Sequence, residues 1–155
     1  MATDTNSITI SGNITREPEM RYTPSGVSKA TFGVAVNRSW RNQQTQDWEE
    51  QTSFFNVVAW RQLAENVAAS LTKGSRVVVS GRLEQRSWET DQGEKRSIVE
   101  IVADDIAASL RFATAEIHKV ERSGPGGSGG GGPAPAPAPT PAAGGDYDQY
   151  GEEPF

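Results

Sequence analysis

The chain has 155 residues and a net charge of −5, with fifteen Lys and Arg, twenty Asp and Glu, one His and no Cys. That length suits one domain, and the missing cysteines exclude disulfides and zinc-ribbon sites. MATDTNSITI has no basic start followed by an apolar run, so no signal peptide is expected. No apolar stretch approaches the roughly 18 residues of a membrane helix, so a cytoplasmic protein is expected.

Ile8, Ile10 and Ile14 flank Gly12 in a first strand, and Pro18, Pro24 and Gly26 punctuate a loop and turn after it. From Ala30 the pattern alternates, with Phe32, Val34 and Val36 on one side and Thr31, Gly33 and Ala35 on the other. That alternation predicts a half-buried strand. Residues 41–50 (RNQQTQDWEE) are polar and predict a long hairpin loop.

SFFNVVAW at 53–60 is apolar on both faces: Phe55, Val57 and Ala59 form one set, and Phe54, Val58 and Trp60 the other. A sheet has one core face, so the second set needs a cover, either a neighbouring subunit or a ligand. Residues 61–73 switch to helical spacing, with Leu63, Val67 and Leu71 in line and a stop at Lys73-Gly74. Val77, Val79, Gly81 and Leu83 then alternate with Arg76, Val78, Ser80, Arg82 and Glu84 as a fourth strand. After the turn at Asp91-Gln92-Gly93, a fifth strand is expected over 96–103 (RSIVEIVA). Three strands, a helix and two strands, with Gly where a barrel must bend, predict an all-β, five-stranded OB-fold barrel with its helix between strands 3 and 4.

Beyond it, residues 123–145 are Gly-rich and then PAPAPAPTP, with no aromatic or charged residue. Such a segment has no core to fold around, so a disordered linker is expected. The chain ends DYDQYGEEPF. The charge divides accordingly: all fifteen bases lie in 1–122 with sixteen acids, while 146–155 holds four acids and no base. An acidic whole therefore does not exclude a nucleic-acid partner, because local charge decides.

Enzymatic readings fail on the residues. His118 has no nucleophile beside it, and no phosphate-cradling GxxxxGK[ST] motif occurs. Asp104 and Asp105 are adjacent, and neighbours on a strand point to opposite faces, so a turn or cap is expected there rather than a metal site. No catalytic residue, metal or cofactor is expected.

A binding reading rests on the aromatic residues. Trp88 ends the set Arg82, Glu84, Arg86 and Trp88, opposite the expected core residues Val77, Val79 and Leu83. Trp60 shares the spare face with Phe54. Trp40 follows the core parity of Phe32 to Val36, so pattern alone leaves it undecided. Trp48, in the acidic loop, is expected to pack locally. Cations interleave with these rings: Arg38 and Arg41 around Trp40, Arg61 beside Trp60, and Arg82 and Arg86 before Trp88, with Lys73 and Arg96 nearby. Flat rings with cations alongside suit a nucleic-acid strand whose bases are unstacked and whose phosphates run beside them.

Two blocks, GNITREPEMRYTPSG from Gly12 and EQTSFFNVVAWRQLAENVAASLTKGSRVVVSGRL over 50–83, resemble the OB domain of bacterial single-stranded DNA-binding proteins. The resemblance covers 6–112. It implies a homotetramer that binds single-stranded DNA without sequence preference in replication, recombination and repair, with base-stacking roles for Trp40, Phe54, Trp60 and Trp88. Residues 109–120 (SLRFATAEIHKV) look like the extension of actinobacterial members, where an added strand hooks neighbouring subunits together. The ending Glu152, Glu153, Pro154 and Phe155 resembles the family's acidic partner-binding tip, with Glu where Asp is commoner. The expected organisation is a DNA-binding domain at 1–112, an extension at 113–122, a linker at 123–145 and a tip at 146–155. The rival reading is an OB-fold replication adaptor that mainly binds proteins, its rings serving those contacts.

Overall fold

A computed structural model describes residues 2–121. The expected linker and acidic tip lie outside the described residues. The chain divides into two units, Met1–Ile117 and His118–Phe155; of the second, residues 118–121 are described and form no helix or strand.

The first unit is built from β1 (Ile8–Ile14), β2 (Glu19–Tyr22), β3 (Ser28–Arg41), β4 (Trp48–Trp60), α1 (Gln62–Ser70), β5 (Arg76–Glu89) and β6 (Lys95–Ala108). The neighbours run β1-β5-β6-β4-β3, and β1 returns to β3 through Asn13↔Ala35 and Ile14↔Val34. This closes a five-stranded barrel, and α1 falls between its third and fourth strands, the OB-fold layout expected. The parallel contact of β4 with β6, Val57↔Ile101 and Val58↔Val102, completes the ring. Closure leaves few strand edges unpaired.

Inside lie Ile14, Phe32, Val34, Val57, Val77, Val79 and Ile101, capped by Val67 from α1 and by Leu71 just after it. The expected helical spacing thus does its work by sealing the barrel, while Ala64 sits on Ala30 and Ala59, where only small side chains allow helix and sheet to touch. Helix α1 starts abruptly after β4. Arg61 takes φ 59°, a region that disfavours side chains, and its N–H donates to the Ser28 carbonyl. The buried Ser28 hydroxyl lies within hydrogen-bond reach of both the Arg61 carbonyl and the Glu65 carboxylate. The helix stops at Ser70, before Lys73-Gly74; Gly74, at φ 90°, instead turns the chain into β5.

Four further local expectations are corrected. The segment after β1 is not all loop, because Glu19–Tyr22 pair with Ser28–Thr31 as an added strand on the same edge of β3 that β1 uses further along. The loop between β3 and β4 is only 42–47, since cross-strand pairing continues to Arg41↔Trp48. Leu83 is exposed rather than core, because the pairing of β5 with β1 ends at Ile8↔Gly81. Asp104 and Asp105 form neither a turn nor a cap. The register jumps from Ser80↔Asp105 to Gly81↔Ala103, so Asp104 is the extra residue of a β-bulge.

Two glycines allow the strands to cross. A Cβ on Gly12 would strike the carbonyl of Ala35, and one on Gly81 the carbonyl of Val102, at the bulge. Neither obstacle is a side chain that can swing away. Gly12→Ala and Gly81→Ala should therefore each cost about 1–3 kcal/mol or more, measured as a lowered urea midpoint. An unchanged midpoint in both variants would show that backbone contact there does not limit closure.

Candidate nucleic-acid interface

Two hairpins carry the rings. Along the first, β3 and β4 pair without a register break from Lys29↔Trp60 to Arg41↔Trp48. Side chains alternate faces along each strand, so the face that begins inside the barrel with Phe32, Val57, Val34 and Phe55 continues out to Arg38, Trp40 and Glu49. The opposite face carries Trp60, Val58, Asn56, Phe54, Thr52, Glu50 and Trp48 from β4. Opposite them on β3 stand Lys29, Thr31, Gly33, Ala35, Asn37, Ser39 and Arg41. Val58 on this outer face is buried beside Val102, but Phe54 is 73% exposed and Trp60 is 38% exposed.

The second hairpin, β5–β6, projects past the bulge, and Trp88, 44% exposed, lies opposite Arg96 near its tip. A surface recess of about 400 Å³ there is lined by Trp88, Glu89, Lys95 and Arg96, with Gln85 and Ser87 from β5 and Ser97 from β6.

Cations stand over the rings. The Lys29 ammonium is 5.3 Å from the Trp60 ring centre, the Arg38 guanidinium 5.6 Å from that of Trp40, and the Arg86 guanidinium 5.6 Å from that of Trp88. Such contacts orient an exposed ring, and a cation beside a ring is well placed for the phosphate of a stacked nucleotide. Three arginines are held by acids: Arg82 by Glu84 and Asp104, Arg86 by Glu100 and Arg96 by Glu94. Both partners are exposed in the Arg82 and Arg96 pairs, and such pairs contribute only about 0–1 kcal/mol, so exchanging their carboxylates for a phosphate costs little. Glu100, by contrast, is largely buried beside Arg86. Arg41 donates from Nε to the Gln46 carbonyl, bracing the hairpin end. Arg61 follows Trp60 at the start of α1. Lys73 lies in the turn between α1 and β5, on neither hairpin, with its backbone N–H donating to the Glu17 carboxylate.

The sequence profile of the single-strand binding protein family matches residues 5–109. This chain belongs to that family. A Mycobacterium tuberculosis protein named single-stranded DNA-binding protein is 52% identical over 129 residues, covering 83% of this chain and 78% of its own length. One of the same name from Corynebacterium glutamicum is 50% identical over 125 residues, covering 80% of this chain and 56% of its own. Among solved structures, a Plasmodium falciparum SSB in complex with ssDNA superposes with a TM-score of 0.66 at 27% identity, covering 70% of this chain and 98% of that one. The actinobacterial resemblance is thus shown, and the family is one of binding proteins, in agreement with the exclusion of an enzyme.

Within this family member, Phe54 and Trp60 share one face of one strand. Trp40 is half-buried on the other face of the same hairpin, as its parity allowed, and Trp88 belongs to the second hairpin. Two residues escaped the sequence reading. Lys29 meets Trp60 only through the β3–β4 register, across thirty-one positions of chain. Trp48 belongs to a strand rather than to a loop and is 72% exposed. Its even spacing from Phe54 and Trp60 was a readable signal, hidden because the pairing was expected to end sooner.

Proposed function

We propose that this chain binds single-stranded DNA without sequence preference. The observation that carries the reading is the exposure of Phe54, Trp60 and Trp88 on strands that elsewhere supply core residues, with cations over Trp60 and Trp88. Exposed rings lose contact with apolar neighbours and gain it back when a base stacks on them, about 1–3 kcal/mol per base whatever its identity. Duplex DNA keeps its base faces covered, so the preference for single strands follows. The names of the relatives, and the ssDNA held in the Plasmodium complex, support the same reading. Trp40, Phe54, Trp60 and Trp88 are the proposed stacking residues. Arg41, Arg61, Lys73, Arg82, Arg86 and Arg96 are the proposed phosphate contacts.

In titrations with poly(dT), Trp40→Ala and Trp88→Ala should each weaken binding by about one stack, roughly 1–3 kcal/mol. Tryptophan fluorescence of the parent should quench on binding, and duplex DNA should compete poorly. Affinity should fall with salt, with a log–log slope of about −0.7 per phosphate neutralised. Two folded variants that bind like the parent would remove the ring platform, and a flat salt response would favour the protein-adaptor reading.

The assembly belongs to the proposal as well. The domain at 1–112 forms a homotetramer, with 113–122 available to clamp neighbouring subunits. Light scattering at micromolar concentration should give a tetramer, destabilised when the chain is cut after Leu110. A monomeric intact protein would contradict it.

The working context proposed is the cytoplasmic nucleoid, in replication, recombination and repair, with a linker at 123–145 and a partner-binding tip at 146–155. Four acids, Tyr147 and Tyr150 accompany Glu152, Glu153, Pro154 and Phe155 at that tip. A ring beside negative charge suits a basic pocket with an apolar floor. Deleting 146–155 should leave single-strand affinity equal or slightly tighter while abolishing pull-down of replication and repair enzymes, and Phe155→Ala should reproduce most of that loss. Retained partners, or lost DNA binding, would refute this division of labour.

A further inference from the structure

The outer face of the β3–β4 hairpin is asymmetric between its strands. On β4, Trp48, Phe54 and Trp60 are spaced evenly at six residues, so they share one face and stand about 20 Å apart along the strand. On β3, the residues facing the same way are Lys29 and Arg41 at the two ends, with Thr31, Gly33, Ala35, Asn37 and Ser39 between them. Cations therefore sit at both ends of β3, opposite Trp60 and Trp48, and only small or amide side chains separate them. Glu50, the acid on this face, belongs to β4 and lies opposite Ser39.

Trp48 is 72% exposed, as open as Phe54. The ring–cation pairing of Trp60 with Lys29 is repeated in its register by Trp48 with Arg41. The guanidinium of Arg41 is anchored, because its Nε donates to the Gln46 carbonyl at 3.2 Å. Gln46 itself is held in the turn at φ 63°, with its N–H on the Asn42 carbonyl. The hairpin end is thus a braced platform, and the braced element presents a bare indole.

We propose that Trp48 is a further base-stacking residue, with Arg41 as its phosphate partner, so that the track along the outer face of this hairpin has three rings rather than two. The bases lie over β4, where the rings are, and the sugar–phosphate backbone follows β3. That side offers cations and small residues, whereas a backbone on the β4 side would meet Glu50. This extension rests on the single-strand binding reading above, and it adds contact at the end of the hairpin farthest from the helix.

The test uses the full chain and poly(dT), at a salt concentration where parent affinity is measurable, with Trp60→Ala as the comparison. Trp48→Ala should weaken binding about fivefold or more, the loss of one stack, and Trp48→Phe should recover most of it. Photo-crosslinking to a bromouracil-substituted oligonucleotide should label the peptide that contains Trp48. Unfolding midpoint and mass by light scattering should match the parent, since the ring is exposed. If Trp60→Ala loses affinity and Trp48→Ala does not, the extension falls while the binding reading stands. If the parent fails to bind poly(dT), the reading beneath it falls instead. A change of mass in Trp48→Ala would assign the ring to a subunit contact and overturn the proposal.

Discussion

The uninterrupted pairing of β3 with β4 governs most of what surrounds it. Every pair from Lys29↔Trp60 to Arg41↔Trp48 keeps the same alternation, so the inward demand of Phe32, Val34 and Val57 at one end dictates the faces of all residues beyond. A slip of one residue would turn the whole set over, burying Phe54 and expelling Phe55. The core therefore holds the site in register, and the buried apolar residues near the helix position rings several turns of the pleat away.

Closing the sheet on itself imposes a second constraint. Where β1 meets β3, and where β5 crosses β6, the backbones approach so closely that Gly12 and Gly81 are needed. The bulge at Asp104 takes up the register difference between the barrel and the projecting β5–β6 arm. Past the bulge β6 still closes the barrel on β4 through Ile101 and Val102, but β5 loses its β1 neighbour after Gly81, so Leu83 continues the parity of Val77 and Val79 yet loses its cover. The two arms thus share one design: strands that begin as core walls and continue as exposed ribbons, carrying the aromatic residues past the rim.

Each exposed ribbon would be an aggregation hazard if it were merely apolar. Lysine and arginine over the rings, and carboxylates holding Arg82, Arg86 and Arg96, keep these faces hydrated. The exposed pairs of Arg82 and Arg96 leave cations that exchange partners at little cost, which is what a surface that engages and releases a polyanion requires.

The sequence by itself determined the strand alternation, the helix, the OB-fold order and the family, because each is written in local periodicity or in contiguous blocks. It also set Phe54, Trp60 and Trp88 off the core, through parity within single strands. Where the strands stop, which residues face across them and where the register breaks were decided by tertiary structure. The helix end at Ser70, the strand at Glu19–Tyr22, the bulge at Asp104 and the pairings of Trp60 with Lys29 and Trp48 with Arg41 all depend on a second segment. A polar stretch such as 41–50 has no apolar period to announce a strand, and beyond the even spacing of Trp48 from Phe54 and Trp60 its pairing shows only when β3 and β4 lie side by side. Cross-strand neighbours are set by register, and register is set by a core whose members lie far apart along the chain.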